Sequence, residues 1–234
     1  MFKVSNLNVA YDDIQVLWDL SFEVEQGEII AIVGGNGAGK TTTVKTISGM
    51  MKPLSGTIVY DGVTLNGKSC RYYLEHGVVH VPEGRQLFRD MTVLENLEMG
   101  ACNKEAKAKK AETLKKVYEW FPKLEERRNQ AAGTLSGGEQ QMVAMARGMM
   151  GLPKVLMMDE PSLGLAPNIV ESILHITKEA ARDGLAVVLV EQDVRKALRI
   201  ADRGYVLENG VITIQDTAEA LLNNEDVKKA YLGF

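Results

Sequence analysis

Cysteine is nearly missing from this chain: its 234 residues include two, Cys70 and Cys102, in no C-x-x-C or ligand-like spacing. That excludes a metal site built on sulfur and predicts reduced thiols in a cytosolic protein. A basic excess is missing too. With 27 Lys and Arg against 31 Asp and Glu, a net charge of -4 and a pI near 5.5, the chain has no electrostatic footprint for nucleic acid, which is not expected as a partner. Long apolar runs are absent as well. Segments such as Val155 to Met158 or Ala186 to Val190 fall far short of the roughly 20 residues that span a bilayer, so any membrane role must come through partners. The opening M-F-K-V-S-N-L-N-V-A-Y-D-D has no continuous apolar stretch and meets Asp12 and Asp13, so it reads as part of the fold and not as a signal peptide. No linker rich in Pro, Gly or Ser divides the chain, and no internal repeat is visible.

What is present is ordinary globular material, 45% hydrophobic and 25% charged, long enough for one generous domain or one domain in two lobes. Strand-like runs open the chain at Phe2 to Val4, Leu20 to Val24 and Glu28 to Val33. A hairpin follows from Thr57 to Leu65 around Asp61-Gly62, a strong two-residue turn signal. From about Thr92 to Met150 the pattern turns helical, with Pro122 expected to close the charged stretch that starts at Lys104. Mixed Lys and Glu over 104–128 read as a solvated helix face. Strands at Val155 to Met158, Ala186 to Val190 and Tyr205 to Glu208 then alternate with helices from about Asn168 to Arg182 and Val194 to Ile200. Nearly continuous apolar strands separated by helices predict an α/β fold with a mainly parallel sheet covered on both faces.

Three constellations carry chemistry. Gly34-Gly35-Asn36-Gly37-Ala38-Gly39-Lys40-Thr41 follows a strand and opens a helix, the context of a phosphate-binding P-loop. Glycines let successive N–H groups turn toward phosphate oxygens at the positive end of the helix. Lys40 would reach the β- and γ-phosphates and the Thr41 hydroxyl would hold Mg²⁺. A dinucleotide fingerprint fails, because its third glycine, counted from Gly35, falls on Lys40. The second constellation, Val155 to Pro161, ends an apolar strand on Asp159 and Glu160. From there Asp159 can reach the Mg²⁺ region and Glu160 can face a water aligned on the γ-phosphate. The third, Leu135-Ser136-Gly137-Gly138-Glu139-Gln140-Gln141, contains a capping box between Ser136 and Glu139, with Met142, Met145 and Met149 continuing at helical spacing as core. Capping has no need of two glycines between them, which suggests a second phosphate-approach surface serving a neighbouring chain.

These three motifs, in this order, closely resemble the ATP-binding-cassette ATPases over essentially the whole chain. The resemblance implies a P-loop NTPase fold with a RecA-like core, an N-terminal antiparallel β lobe and a helical insertion. It divides a single domain, 1–234, into core and β lobe (1–84 and 151–234) and a helical subdomain (85–150). It further implies ATP held by the P-loop of one protomer, Gly34 to Thr42, and by Ser136, Gly137, Gly138 and Glu139 of the other. Tyr11 matches the aromatic that stacks on adenine, and packing within a strand accounts for it equally well.

Departures from the general pattern narrow the likeness. V-P-E-G-R-Q-L-F puts Glu83 where a Gln is usual, S-L-G-L-A-P puts Ala166 at a position usually Asp, and Gln192 replaces a switch His. Together with the ending V-K-K-A-Y-L-G, these look like the LivF-type subunit of branched-chain amino-acid importers. That resemblance implies an ATPase on the cytoplasmic face of the cell membrane. Its partners would be permease subunits docked around Arg85 to Met91, a second ATPase subunit and, indirectly, a substrate-binding protein. On it, Glu160 would be the general base, Lys40 and Gln192 would act with it, and Thr41, Asp159 and Glu83 would serve the metal. Gln192 can donate to a γ-phosphate oxygen or bridge to Glu160, and it cannot change charge. Asp193 reads as the N-cap of the next helix, and Glu191 has no assigned part. Two other functions remain open: a soluble ABC ATPase unconnected with transport, and a regulatory module that binds ATP with little hydrolysis.

Overall fold

The computed structural model describes residues 1–232; Gly233, in the subfamily-like ending, lies outside them. The chain runs β1 (Phe2–Tyr11), β2 (Ile14–Val24), β3 (Ile29–Val33), α1 (Lys40–Ile47), β4 (Ser55–Tyr60), β5 (Val63–Thr64), α2 (Cys70–Glu75) and β6 (Val78–Val81). The helices α3 (Val93–Gly100), α4 (Lys104–Ala108), α5 (Lys110–Trp120), α6 (Pro122–Glu126) and α7 (Gly137–Met149) follow. The chain then returns through β7 (Val155–Asp159), α8 (Pro167–Arg182), β8 (Ala186–Glu191), α9 (Val194–Leu198), β9 (Arg203–Glu208), β10 (Val211–Thr217), α10 (Ala218–Asn223) and α11 (Glu225–Val227).

Two sheets result. The first strands form a four-stranded antiparallel sheet in the order β2-β1-β4-β5, and the rest form a six-stranded sheet in the order β10-β9-β3-β8-β7-β6. Within the larger sheet every pairing from β9 to β6 is parallel, and β10 alone runs antiparallel at the edge. All residues of β3, β7 and β8 are buried, as strands covered on both faces must be. Alternate side chains feed different cores. Ala31, Val33, Leu156, Met158, Val187 and Leu189 pack under α7 and α8, whereas Ile30, Ile32, Val155, Met157, Val188 and Val190 face α1 and the antiparallel sheet. Period-two alternation sends one strand's side chains to opposite faces.

Several boundaries differ from the expectation. β1 and β2 are longer than the runs read from sequence, because antiparallel pairing carries them on to Tyr11 and back from Ile14. β6 and β10 carry no clear sequence signal: β6 has four residues, and β10 is largely exposed at an edge. The charged helix ends where expected, just before Pro122. α5 ends at Trp120 through Phe121, and Pro122 occupies the first turn of α6, where its missing N–H costs nothing. The turn at Asp61-Gly62 has φ of 46° and 78°, the paired positive values of the expected hairpin turn. Met142, Met145 and Met149 are core. Charges over 104–128 form exposed pairs such as Lys109–Glu105 at 2.9 Å. No helix among the described residues is long and apolar enough to cross a membrane.

The segment joining β6 to α3 is irregular yet firmly held. Asn96, fully buried on α3, accepts from the Phe88 amide at 3.0 Å and donates to the carbonyls of Phe88 (2.9 Å) and Thr92 (3.0 Å). Arg147 on α7 donates to the Gln86 carbonyl at 2.9 Å and lies over the Phe88 ring. Asn96→Leu keeps the number and branching of side-chain heavy atoms but leaves the Phe88 amide without its acceptor and removes the side-chain donors to the Phe88 and Thr92 carbonyls. The expected loss is about 2 kcal/mol, a fall of roughly 4–8 °C in Tm, read by thermal unfolding against Asp90→Asn as an exposed control.

Candidate active site: a phosphate cradle ringed by carboxylates

β3 delivers the chain into the Gly34–Gly39 turn, and α1 begins at Lys40 with no side-chain cap and no acid in its first turn. Its first N–H groups are therefore left for an anion. Only glycine fits two of these positions. A Cβ on Gly34 would lie 2.2 Å from the Leu207 carbonyl oxygen of β9, and Gly39 has φ of 107° with the Leu17 side chain 2.7 Å from where a Cβ would be. The Lys40 ammonium, 5% exposed, donates to the carbonyls of Gly34 (3.0 Å) and Gly35 (3.1 Å) and pairs with Glu160 Oε1 at 3.2 Å.

β8 lies between β3 and β7 in the sheet, so three adjacent strand ends meet at this cleft. β7 ends on Asp159, which is 3% exposed. One carboxylate oxygen, Oδ1, is buried without a partner, and the Thr41 side chain lies beside the group. Burial, with Glu160 and Glu83 nearby, pushes the Asp159 carboxyl up to about 6. Glu160 follows in the left-handed region at φ 45° and donates its amide to the Val190 carbonyl of β8 at 2.8 Å. The cleft, about 550 Å³, is lined by Val16, Asn36, Gly37, Gly39, Lys40, Thr41 and Thr42, with Glu83, Glu160, Leu163 and Gln192 across from them. Gln192 is exposed just beyond the end of β8. Tyr11 is 46% exposed at the margin, its hydroxyl 3.5 Å from the Thr42 hydroxyl. Among the described residues no group of three or more His, Cys, Asp or Glu could hold a metal unaided. A magnesium-type ion, which keeps waters and phosphate oxygens and takes one or two carboxylates, still fits Asp159 and Thr41.

The Ser136-to-Glu139 motif is built as a capping box. Ser136 accepts from the Glu139 amide at 3.4 Å, and Glu139 accepts from the Ser136 amide at 3.0 Å. The Ser136 hydroxyl holds the Glu139 carboxyl below its usual range. None of Ser136 to Glu139 lines the cleft. The two glycines also have neighbours within the chain: a Cβ on Gly137 would lie 3.0 Å from the Arg85 guanidinium, and one on Gly138 would lie 2.9 Å from Ile169. Close packing thus accounts for part of the Gly-Gly pair, alongside the neighbouring-chain surface expected from sequence.

At the end of β8, Asp193 accepts from the Lys196 amide at 3.1 Å as the N-cap of α9, as its position predicts. Glu191 is buried and accepts from the Ser162 amide at 3.0 Å.

Residues 17–163 match the family model described as ABC transporter. The chain belongs to the ABC transporter family. Over the full length of both chains it is 46% identical to the high-affinity branched-chain amino acid transport ATP-binding protein BraG of Pseudomonas aeruginosa. It is 33% identical to the probable branched-chain amino acid transport ATP-binding protein LivF of Archaeoglobus fulgidus, covering 100% of this chain and 99% of that one. A crystal structure of a nucleotide-free ATP-binding cassette from an ABC transporter superposes with a TM-score of 0.87 at 26% identity, covering 100% of this chain and 99% of that chain. This ABC cassette is an ATP-binding ATPase, with the α/β P-loop fold expected from its sequence.

Asp159 generates a sign-specific prediction. Its folded value, about 6, lies above its ordinary 3.8, so the native state binds the proton more tightly and loses stability as pH rises from about 4 to 6. The cost, on the order of 2–3 kcal/mol, is fully present above pH 7. Without nucleotide or divalent metal, Asp159→Asn is expected to melt higher than the parent at pH 7.5, with the gap roughly halved at pH 5. Equal melting temperatures at both pH values would contradict the burial of this charge.

Proposed function

We propose that this chain is the ATP-hydrolysing subunit of a membrane importer for branched-chain amino acids, held at the cytoplasmic face by permease subunits. The observation that carries the reading is the convergence of Lys40 and Thr41 from one side with Asp159 and Glu160 from the other, at the carboxyl ends of β3 and β7, the two parallel strands that flank β8. The amino-acid cargo rests on the names of BraG and LivF. A module that binds ATP without hydrolysing it would have no need of Glu160 beside the Lys40 ammonium.

In this reading Gly34 to Thr42 cradle the phosphates, and Tyr11 offers a flat face for the base. Thr41, Asp159 and Glu83 hold Mg²⁺, which when bound neutralises charge on the β- and γ-phosphate oxygens. Glu160 takes the proton of the attacking water. Gln192, from the strand end between the P-loop and Asp159, donates its amide N–H to a γ-phosphate oxygen. Ser136 to Glu139 lie off their own cleft, as expected of donors that complete the site of a second copy or a related subunit across a head-to-tail interface. Residues 85–150 form the subdomain that carries those donors and, through Arg85 to Met91, meets the permease. A substrate-binding protein acts on the permease alone. Closing two such subunits on ATP, and releasing them after hydrolysis, drives the permease.

Glu160→Gln should lower phosphate release by about 10²-fold or more while ATP binding persists. Gln192→Ala should slow turnover roughly 10- to 100-fold. In cells, the tagged chain should co-purify with permease subunits from gently solubilised membranes, and Lys40→Ala should abolish uptake of labelled leucine. A chain that hydrolyses ATP with no membrane partner and undiminished uptake would overturn the importer reading.

A further inference from the structure

The end of β8 carries a buried acid that ATP binding, metal binding and helix capping all leave unused. β8 reads A-V-V-L-V-E, and a further apolar residue would complete such a strand at no electrostatic cost. Glu191 is instead a carboxylate at 3% exposure, and burial pushes its carboxyl up from the ordinary range. A buried carboxylate is expensive unless its oxygens are hydrogen-bonded. Its partner is the Ser162 amide, at 3.0 Å.

Ser162 stands two residues after Glu160, in a turn that has reason to relax. Glu160 has φ of 45°, a region disfavoured for a side chain of this kind and maintained only where the surroundings over-determine it. Two adjacent residues of β8 supply that restraint. The Val190 carbonyl accepts from the Glu160 amide at 2.8 Å, and the Glu191 carboxylate accepts from the Ser162 amide; the Leu163 amide closes the turn on the Glu160 carbonyl at 3.2 Å. Val190 acts through its backbone, so Glu191 is the only one of the two whose restraint depends on side-chain identity.

We propose that Glu191 is a positioning residue for hydrolysis: as a buried acceptor for the Ser162 amide, it holds the Glu160–Leu163 turn and sets the direction in which the Glu160 carboxylate faces the cleft. This rests on the reading of Glu160 as general base. The acceptor oxygen, and not the negative charge, does the holding. Glutamine therefore preserves the device, and an apolar residue of similar size removes it.

The test is steady-state ATP hydrolysis by the purified full chain, as wild type, Glu191→Gln, Glu191→Leu and Glu160→Gln, with kcat and KM for ATP measured separately. Glu191→Gln is expected within about threefold of wild type in kcat. Glu191→Leu is expected to lose about tenfold or more in kcat with KM for ATP within about threefold, the split of a residue acting on the chemical step. Should the leucine variant fail to fold, Glu191→Ala carries the same expectation. An unchanged kcat in the apolar variant, a glutamine variant as slow as the apolar one, or a KM that rises in step with the loss of kcat would each overturn the proposal. If wild type is active and Glu160→Gln inactive, those outcomes count against Glu191 alone. A Glu160→Gln variant as fast as wild type would remove the general-base reading and this proposal together.

Discussion

The arrangement of the whole molecule turns on one buried cation. The Lys40 ammonium is enclosed by two carbonyls of its own glycine turn and by Glu160, with Asp159 close enough for its carboxyl to feel the charge. Low-dielectric surroundings make each of these interactions strong and each missing partner costly. The acids therefore have to be delivered to one place with little freedom, and strand ends of a buried parallel sheet do this. β3, β8 and β7 are consecutive in the sheet, so the glycine turn, Glu191 with Gln192, and Asp159 with Glu160 emerge side by side.

Rigidity at the strand ends is matched by tethering of the loop between β6 and α3. Glu83 lines the cleft, and Arg85 and Gln86, with φ of 66° and 42°, turn the chain away toward α7. Arg147 binds the Arg85 and Gln86 carbonyls, and the Arg85 guanidinium lies against Gly137 at the start of α7. One short segment thus touches both the phosphate cleft and α7 of the same chain. Movement at either end has a covalent route to the other.

Much of this was legible beforehand, for identifiable reasons. β3, β7 and β8 are uninterrupted apolar runs because both faces are covered, and such runs stand out in any sequence. Gly34 to Thr41 is read with equal ease, since a close backbone approach at Gly34 and positive φ at Gly37 and Gly39 call for glycine. Capping at Ser136 and Asp193 is a local rule and holds locally. β6 and β10 were illegible: a four-residue strand and a largely exposed edge strand both lack a pattern of their own. Pro122 was legible as a helix end because the residue before a proline is pushed out of the helical region; that the same proline also opens α6 was not.

By itself the sequence determined which groups could do chemistry: a lysine behind glycines, two acids ending one apolar strand, and an amide just past the end of another. These follow from short-range chemistry, in which a residue's type and its immediate neighbours suffice. Tertiary structure alone decided what lies beside what. Inserting β8 between β3 and β7 puts Gln192 between the glycine turn and Asp159. It also gives Glu191 a partner in Ser162, 29 residues away. No local pattern encodes that contact, because it depends on the order in which distant strands pair.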